Sequence, residues 1–167
     1  MRFADCCGLA CVCASLVVVF ADLPAVFAVR SVWYQNAARG QALAADYAGV
    51  GFTAVLAAVN ANPDIDIVDI CLPPHLHFSS CMAALEAGKK VICEKPLVAS
   101  LQQADLLADK VKETRGFLSP VFQYRFGSGA AQLRALSDAG LAGRAYAGTL
   151  ETHWERASSY DGLLYNA

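Results

Sequence analysis

The stretch AALEAGKKVICEKPL, residues 83–97, decides the fold. An alanine-rich helix ends at Gly88, two lysines follow, and Val91-Ile92-Cys93 make a short apolar strand. That strand delivers Glu94-Lys95-Pro96 at its carboxyl end. In an open parallel α/β sheet, ligands bind outside the carboxyl ends of the strands. A Glu-Lys pair there is a candidate for ligand contact, and Pro96 restricts the backbone beneath it. Read alone, the tripeptide is more simply a solvated charged turn. The surrounding sequence argues otherwise.

Upstream, residues 65–72 read as a strand of nearly continuous apolar character, as a strand covered on both faces requires. Residues 77–87 read as the helix that leads to Gly88. Further back, residues 24–34 read as a strand rich in Val, Phe and aromatics. Residues 36–47 read as a helix capped by Asn36, and residues 53–61 as a short helix stopped by Pro63. Downstream, residues 100–114 read as a helix with Ser100 at its N-cap and Gln103 in capping-box register. Leu101, Ala104, Leu107, Ala108 and Val111 form its apolar face. A strand over 117–124 and a helix over 128–139, ended by Gly140, come next. Residues 145–154 alternate enough to open a different sheet. Strands and helices alternate at about 20–25 residues, which predicts a parallel sheet with right-handed crossovers. Residues 66–72, 90–93 and 118–123 are expected as its central, adjacent strands. The stretch 8–20 is expected to supply a buried element of the first βα unit.

The 167 residues suit one domain and a fraction of another. Hydrophobic content is 56% against 17% charged, and net charge is −2 with no Lys/Arg run. Nucleic-acid binding therefore has no electrostatic support. Seven cysteines are present, four of them within the first thirteen residues. Cys11-Val12-Cys13 lacks zinc-knuckle spacing and no His lies near it, so no metal site is expected. Cys71 and Cys93 fall in predicted buried strands and read as small hydrophobes in a reducing compartment. The apolar run 8–20 is short for a membrane span, which needs about 20 residues. A cytoplasmic protein is the main expectation. A secreted or membrane-anchored form led by residues 1–22 is the minor alternative.

The texts VDICLPPHLHFSSCMAALEAGKKVICEKPL, PVFQYRFG and AGLAGRAYAGTLETHWER together resemble the oxidoreductase family of glucose–fructose oxidoreductase, inositol dehydrogenase and MocA. The resemblance spans roughly residues 39–160. It implies a Rossmann-like doubly wound parallel sheet over residues 1–125. Residues 126–167 would then hold the first strand of a second, substrate-binding α/β domain. It implies an NAD or NADP cofactor and hydride transfer at a sugar or polyol hydroxyl carbon, with a homo-oligomer left open. It also implies site residues. Pro73 and Pro74, after the strand ending at Leu72, correspond to the loop that runs along the nucleotide. Glu94 corresponds to the contact on the nicotinamide ribose, and Lys95, followed by Pro96, to the catalytic lysine. The Lys95-Pro96 bond is expected cis. His77 matches a mainly structural histidine, or reads as a helix-start residue that hydrogen-bonds locally. Arg125, in Tyr124-Arg125-Phe126, is either a cofactor-edge contact or a salt-bridge partner.

Two departures stand out. A dinucleotide site usually opens with strand, G-x-G-x-x-G and helix, so that backbone amides reach the pyrophosphate. Here Gly8 is the only glycine before Gly40. The acidic residue that would hold the ribose hydroxyls is also missing, its place falling near Tyr34. Weak dinucleotide binding is therefore expected. A non-catalytic nucleotide-binding or regulatory relative, or a pseudogene-like fragment, remains as the rival reading.

Overall fold

The structure is a computed structural model that describes residues 2–7, 28–34, 36–141, 143–144, 146–149 and 151, with backbone alone for 2–7. The chain divides into two compact units, Met1–Gln123 and Tyr124–Ala167.

Among the described residues of the first unit, six strands form one sheet: β1 (Arg2–Cys7), β2 (Ala28–Tyr34), β3 (Gly51–Thr53), β4 (Ile67–Cys71), β5 (Lys90–Cys93) and β6 (Leu118–Pro120). Their order is β3-β2-β1-β4-β5-β6, and all pairs are parallel. The chain runs outward from β1 to β3, then returns to place β4 against the other side of β1. The strand order therefore reverses at β1 and β4, where doubly wound sheets open their ligand crevice. Cys7 stands level with Cys71, and Ile70 with Cys93, so three carboxyl ends lie side by side.

Four helices connect these strands among the described residues: α1 (Ala37–Ala45), α2 (Leu56–Ala61), α3 (Pro74–Glu86) and α4 (Leu101–Thr114). Each boundary has a local cause. The Asn36 side chain accepts the Arg39 N–H at 3.1 Å. Ser100 Oγ accepts the Gln103 N–H, and the Gln103 amide oxygen reaches back to the Ala99 N–H. At the end of α3, Gly88 takes φ +73°, Lys89 N–H reaches Ala84 O and Gly88 N–H reaches Leu85 O. That is a Schellman closure, which needs a residue free to adopt the left-handed conformation.

Successive residues on β4 face opposite sides of the sheet. Val68, Ile70 and Leu72 pack with Val91 and Cys93 of β5, Cys81, Ala84 and Leu85 of α3, and Leu107 of α4 into the main core. On the other face, Cys71 packs with Tyr34, and Phe52 lies against them. Gly40 lets α1 settle onto that second cluster. A Cβ there would lie 2.6 Å from Tyr34 Cβ and 2.7 Å from Phe52 Cδ2. The Phe52 ring can swing, but the Tyr34 Cβ is fixed to its strand. Gly40→Ala is therefore expected to cost about 1–3 kcal/mol through overpacking, of which improved helix propensity returns up to about 1 kcal/mol. Urea midpoints of the two proteins measure it, and a stabilised Ala variant would contradict the close approach.

A 3-10 turn (Gln123–Phe126) begins at the last residue of the first unit, and the second unit holds α5 (Ser128–Asp138), closed by Gly140 at φ +72°. Phe126, Leu133, Leu141 and Tyr146 are exposed.

Four expectations change. The first strand is Arg2–Cys7, a segment read only for its cysteines. The 8–20 element lies outside the described residues. Gly51–Thr53 is a strand, and the helix after it begins at Leu56. The strand at 118–123 is only Leu118–Pro120 and lies at the sheet edge, because the chain turns into the 3-10 segment soon afterwards. The strand expected over 145–154 is absent from its described residues, 146–149 and 151, which have no regular structure.

Candidate functional site

β4 and β5, being adjacent and parallel, bring Leu72, Pro73, Pro74, His77, Glu94, Lys95 and Pro96 to one end of the sheet. Arg125 belongs to the other unit, where it is exposed in the 3-10 turn. Leu72 is buried, Pro73 half-buried and Pro74 exposed. Pro74 opens α3 at the first helical position, where the missing N–H costs nothing.

The strand β5 releases its chain in a defined way. Glu94 N–H donates to Ile70 O at 2.9 Å, holding the first turn residue to β4. Lys95 N–H then donates to the Glu94 carboxylate at 3.1 Å. The Lys95-Pro96 peptide is cis. Glu94 is half-buried, while Lys95 and Pro96 are exposed. Among the described residues the Lys95 ammonium makes no ion pair, and the residue is tethered through its own backbone.

His77 is fully buried. Its Nε2 lies 2.6 Å from Leu72 O and its Nδ1 2.7 Å from Pro96 O. One contact is local to the start of α3. The other spans nineteen positions of sequence to the lysine loop.

Two residues that matter here were not read from the sequence. Asp69 sits in the middle of β4 at 1% exposure, and among the described residues neither carboxyl oxygen has a partner at full hydrogen-bond geometry. Burial pushes its carboxyl from the ordinary 3.8 up to about 7, and the charge of Glu94 adds to the rise. The nearby Cys71 thiol and Ile70 backbone oppose it only in part. An Asp inside an otherwise apolar strand was a legible signal, since an unpaired buried carboxylate is expensive. Lys89 is the other. It is buried at the opposite end of the sheet, its Nζ donating to Asn62 O at 2.6 Å and Ile65 O at 2.8 Å. The sequence showed it only as one of two lysines after Gly88, and nothing local distinguishes it from Lys90.

The Cys71, Cys81 and Cys93 thiols are buried and form no disulfide among the described residues. The hydrogen bond with Cys81, then burial, drive the Cys93 thiol upward, which disfavours the nucleophilic thiolate. Among the described residues no group of three or more His, Cys, Asp or Glu could hold a metal ion, and no helix is long and apolar enough to cross a membrane.

The features that bear on a dinucleotide point both ways. The crevice lies at the strand reversal, Gly8 directly follows β1, and the Pro73-Pro74 and Glu94-Lys95 turns flank it. Tyr34 ends β2 buried at 5% exposure against Phe52 and Cys71, so no carboxylate stands there for a ribose. The residues fit the nicotinamide end of such a cofactor better than the adenosine end.

Known proteins agree with this architecture. Levoglucosan dehydrogenase of Pseudarthrobacter phenanthrenivorans is 37% identical over 95 residues, 56% of this chain and 24% of that protein. The scyllo-inositol 2-dehydrogenase (NAD(+)) of Bacillus subtilis is 36% identical over 83 residues, 50% of this chain and 24% of that protein. This chain thus spans about a quarter of the length of these curated relatives. A solved biliverdin reductase from Synechocystis, in complex with biliverdin and NADP+, superposes at a TM-score of 0.71 with 24% identity, covering 82% of this chain and 42% of that one. That likeness establishes the fold alone. Residues 9–122 match the family profile described as "Oxidoreductase family, NAD-binding Rossmann fold". The chain belongs to that glucose–fructose oxidoreductase, inositol dehydrogenase and MocA family, and forms its NAD-binding Rossmann domain.

Proposed function

We propose that this domain holds a nicotinamide dinucleotide outside the carboxyl ends of β1, β4 and β5, and that Lys95 serves hydride transfer at a sugar or polyol hydroxyl carbon. The observation that carries this is the meeting of the Pro73-Pro74 and Glu94-Lys95-Pro96 turns at the strand reversal. Pro73, Pro74, Glu94 and Pro96 would flank the nicotinamide and its ribose. When bound, that group supplies or accepts the hydride.

Lys95 handles the proton that accompanies it. A lysine donates a hydrogen bond to a substrate oxygen as the ammonium, and as the amine takes the hydroxyl proton. The Glu94 carboxylate, bonded to the Lys95 N–H, fixes the turn from which the side chain projects. Residues 126–167 are read as the opening of a substrate domain, and Arg125 as either a cofactor-edge contact or a salt-bridge partner. The activity of the whole protein would need partner groups from such a domain.

Dinucleotide binding tests the reading directly. The chain lacks the glycines that bring amides onto a pyrophosphate. Each such charge-assisted contact contributes about 1.5–3 kcal/mol, and each 1.4 kcal/mol is about tenfold in affinity. Titrations with NADH and NADPH, followed by fluorescence transfer and calorimetry, are expected to saturate above the micromolar range. Absence of saturable binding by either nucleotide would refute the reading. Micromolar or tighter binding would refute only the argument from the glycines. The second reading, a nucleotide-binding protein without turnover, is favoured by Tyr34 at the acid position.

A further inference from the structure

Both partners of the His77 ring are main-chain carbonyl oxygens, Leu72 O and Pro96 O, and these only accept hydrogen bonds. A neutral imidazole has one N–H and one bare nitrogen. With that ring, one of the two contacts would set a nitrogen lone pair against an oxygen lone pair at hydrogen-bond distance. Were the bare nitrogen Nε2, the buried Leu72 carbonyl would also lose its donor. The separations of 2.6 and 2.7 Å are at the short end for hydrogen bonds from a ring nitrogen. Charged donors make such short bonds.

We propose that His77 carries a proton on each ring nitrogen and is a positioning residue, a cationic clasp joining the loop that leaves β4 to the loop that leaves β5. Two effects oppose the cation. His77 is fully buried, and it sits near the amino terminus of α3, where the helix field disfavours positive charge. Two direct, short bonds to carbonyl dipoles act at closer range than the helix field, and they replace the water that burial removes. The geometry explains why a histidine is needed. No other side chain presents two opposed N–H donors on a flat ring short enough to bridge these turns.

The clasp has a consequence for Lys95. Pro96 O is held to Leu72 O through one ring, and Leu72 immediately precedes Pro73. The two turns thus move together, and Lys95 is fixed between the Glu94 carboxylate on its own N–H and the clasp on the next residue. The relevance to hydride transfer rests on the proposed function. The clasp itself does not.

The test is nuclear magnetic resonance of the full chain with nitrogen-15 in its histidine rings. His77 is one of three histidines, with His75 and His153. One histidine is expected to show slowly exchanging protons on both ring nitrogens, with couplings across hydrogen bonds to the Leu72 and Pro96 carbonyls. That signal should vanish in His77→Gln. A His77 ring with one protonated and one bare nitrogen overturns the proposal. For the positioning role, His77→Phe is expected to displace the amide signals of Glu94, Lys95 and Leu97. His77→Gln, which keeps one amide donor, should restore part of the shift. Unmoved signals at those residues in a folded His77→Phe protein would reduce the histidine to core filling. If both variants unfold, the ring signals of the unsubstituted chain decide the matter alone. Neither measurement involves a dinucleotide, so a failed clasp and a failed cofactor reading give separate results.

Discussion

Raising the pH from about 4 to about 8 should strip roughly 4 kcal/mol from the stability of the first unit through Asp69 alone. The carboxyl is ordinary in the unfolded chain, near 3.8, and about 7 in the folded one. Between those values the folded state binds more protons than the unfolded state, so stability falls as pH rises. Below about pH 4 both states are protonated and no penalty exists. Above about pH 7 both are ionised and the whole penalty of burying the charge is present. Such a loss is a large share of the 5–15 kcal/mol that typical domains have in total. Other groups also titrate across this range, so the informative quantity is a difference between proteins. Asp69→Asn keeps the shape and cannot ionise. Its urea midpoint should change far less with pH than that of the unsubstituted chain, and it should be the more stable protein at pH 8. Glu94→Gln should give an intermediate profile, since burial remains while the repulsion goes. Parallel profiles for the Asp69→Asn and unsubstituted proteins would show that Asp69 stays ionised in the fold, with partners supplied on rearrangement.

How much could be read in advance depended on whether the cause was local. Gly88, Asn36 and Ser100 act within four residues, and each does what its position predicts. The apolar run of β4 announces a strand covered on both faces. By contrast, Arg2–Cys7 has neither alternation nor β-branched residues. It is a strand because β2 and β4 pair with it on either side. Tertiary context overrode propensity there. The alternation over 145–154 produces no strand in its described residues, 146–149 and 151. Lys89 is buried because Asn62 O and Ile65 O, distant in sequence, converge on its amine. The Glu94-Lys95-Pro96 turn could be placed from the sequence because a strand's end is a local fact. The second bond of His77 could not, because only the packing of α3 against two parallel strands brings Pro96 O to its ring.

Lys95→Ala should lower turnover by about a hundredfold to ten-thousandfold, the usual contribution of a positioned acid or base. The measurement needs a second domain, so it belongs in a fusion with the carboxyl-terminal part of a relative such as scyllo-inositol 2-dehydrogenase. The side chain is exposed and makes no ion pair among the described residues. Its removal should therefore leave stability within about 0.5 kcal/mol of the parent. Dinucleotide affinity should change little, because the turn is held by the Glu94 and His77 bonds to backbone rather than by the ammonium. The loss thus belongs in kcat. Lys95→Arg sharpens the argument. A guanidinium keeps the positive charge but does not give up its proton near neutral pH. If Lys95 only orients the substrate oxygen by charge, Arg should retain much of the turnover. If it moves the proton, Arg should fail nearly as badly as Ala, and that is the expected result. A Lys95→Ala fusion with undiminished turnover would remove the lysine from the chemistry and leave this domain without an identified catalytic side chain.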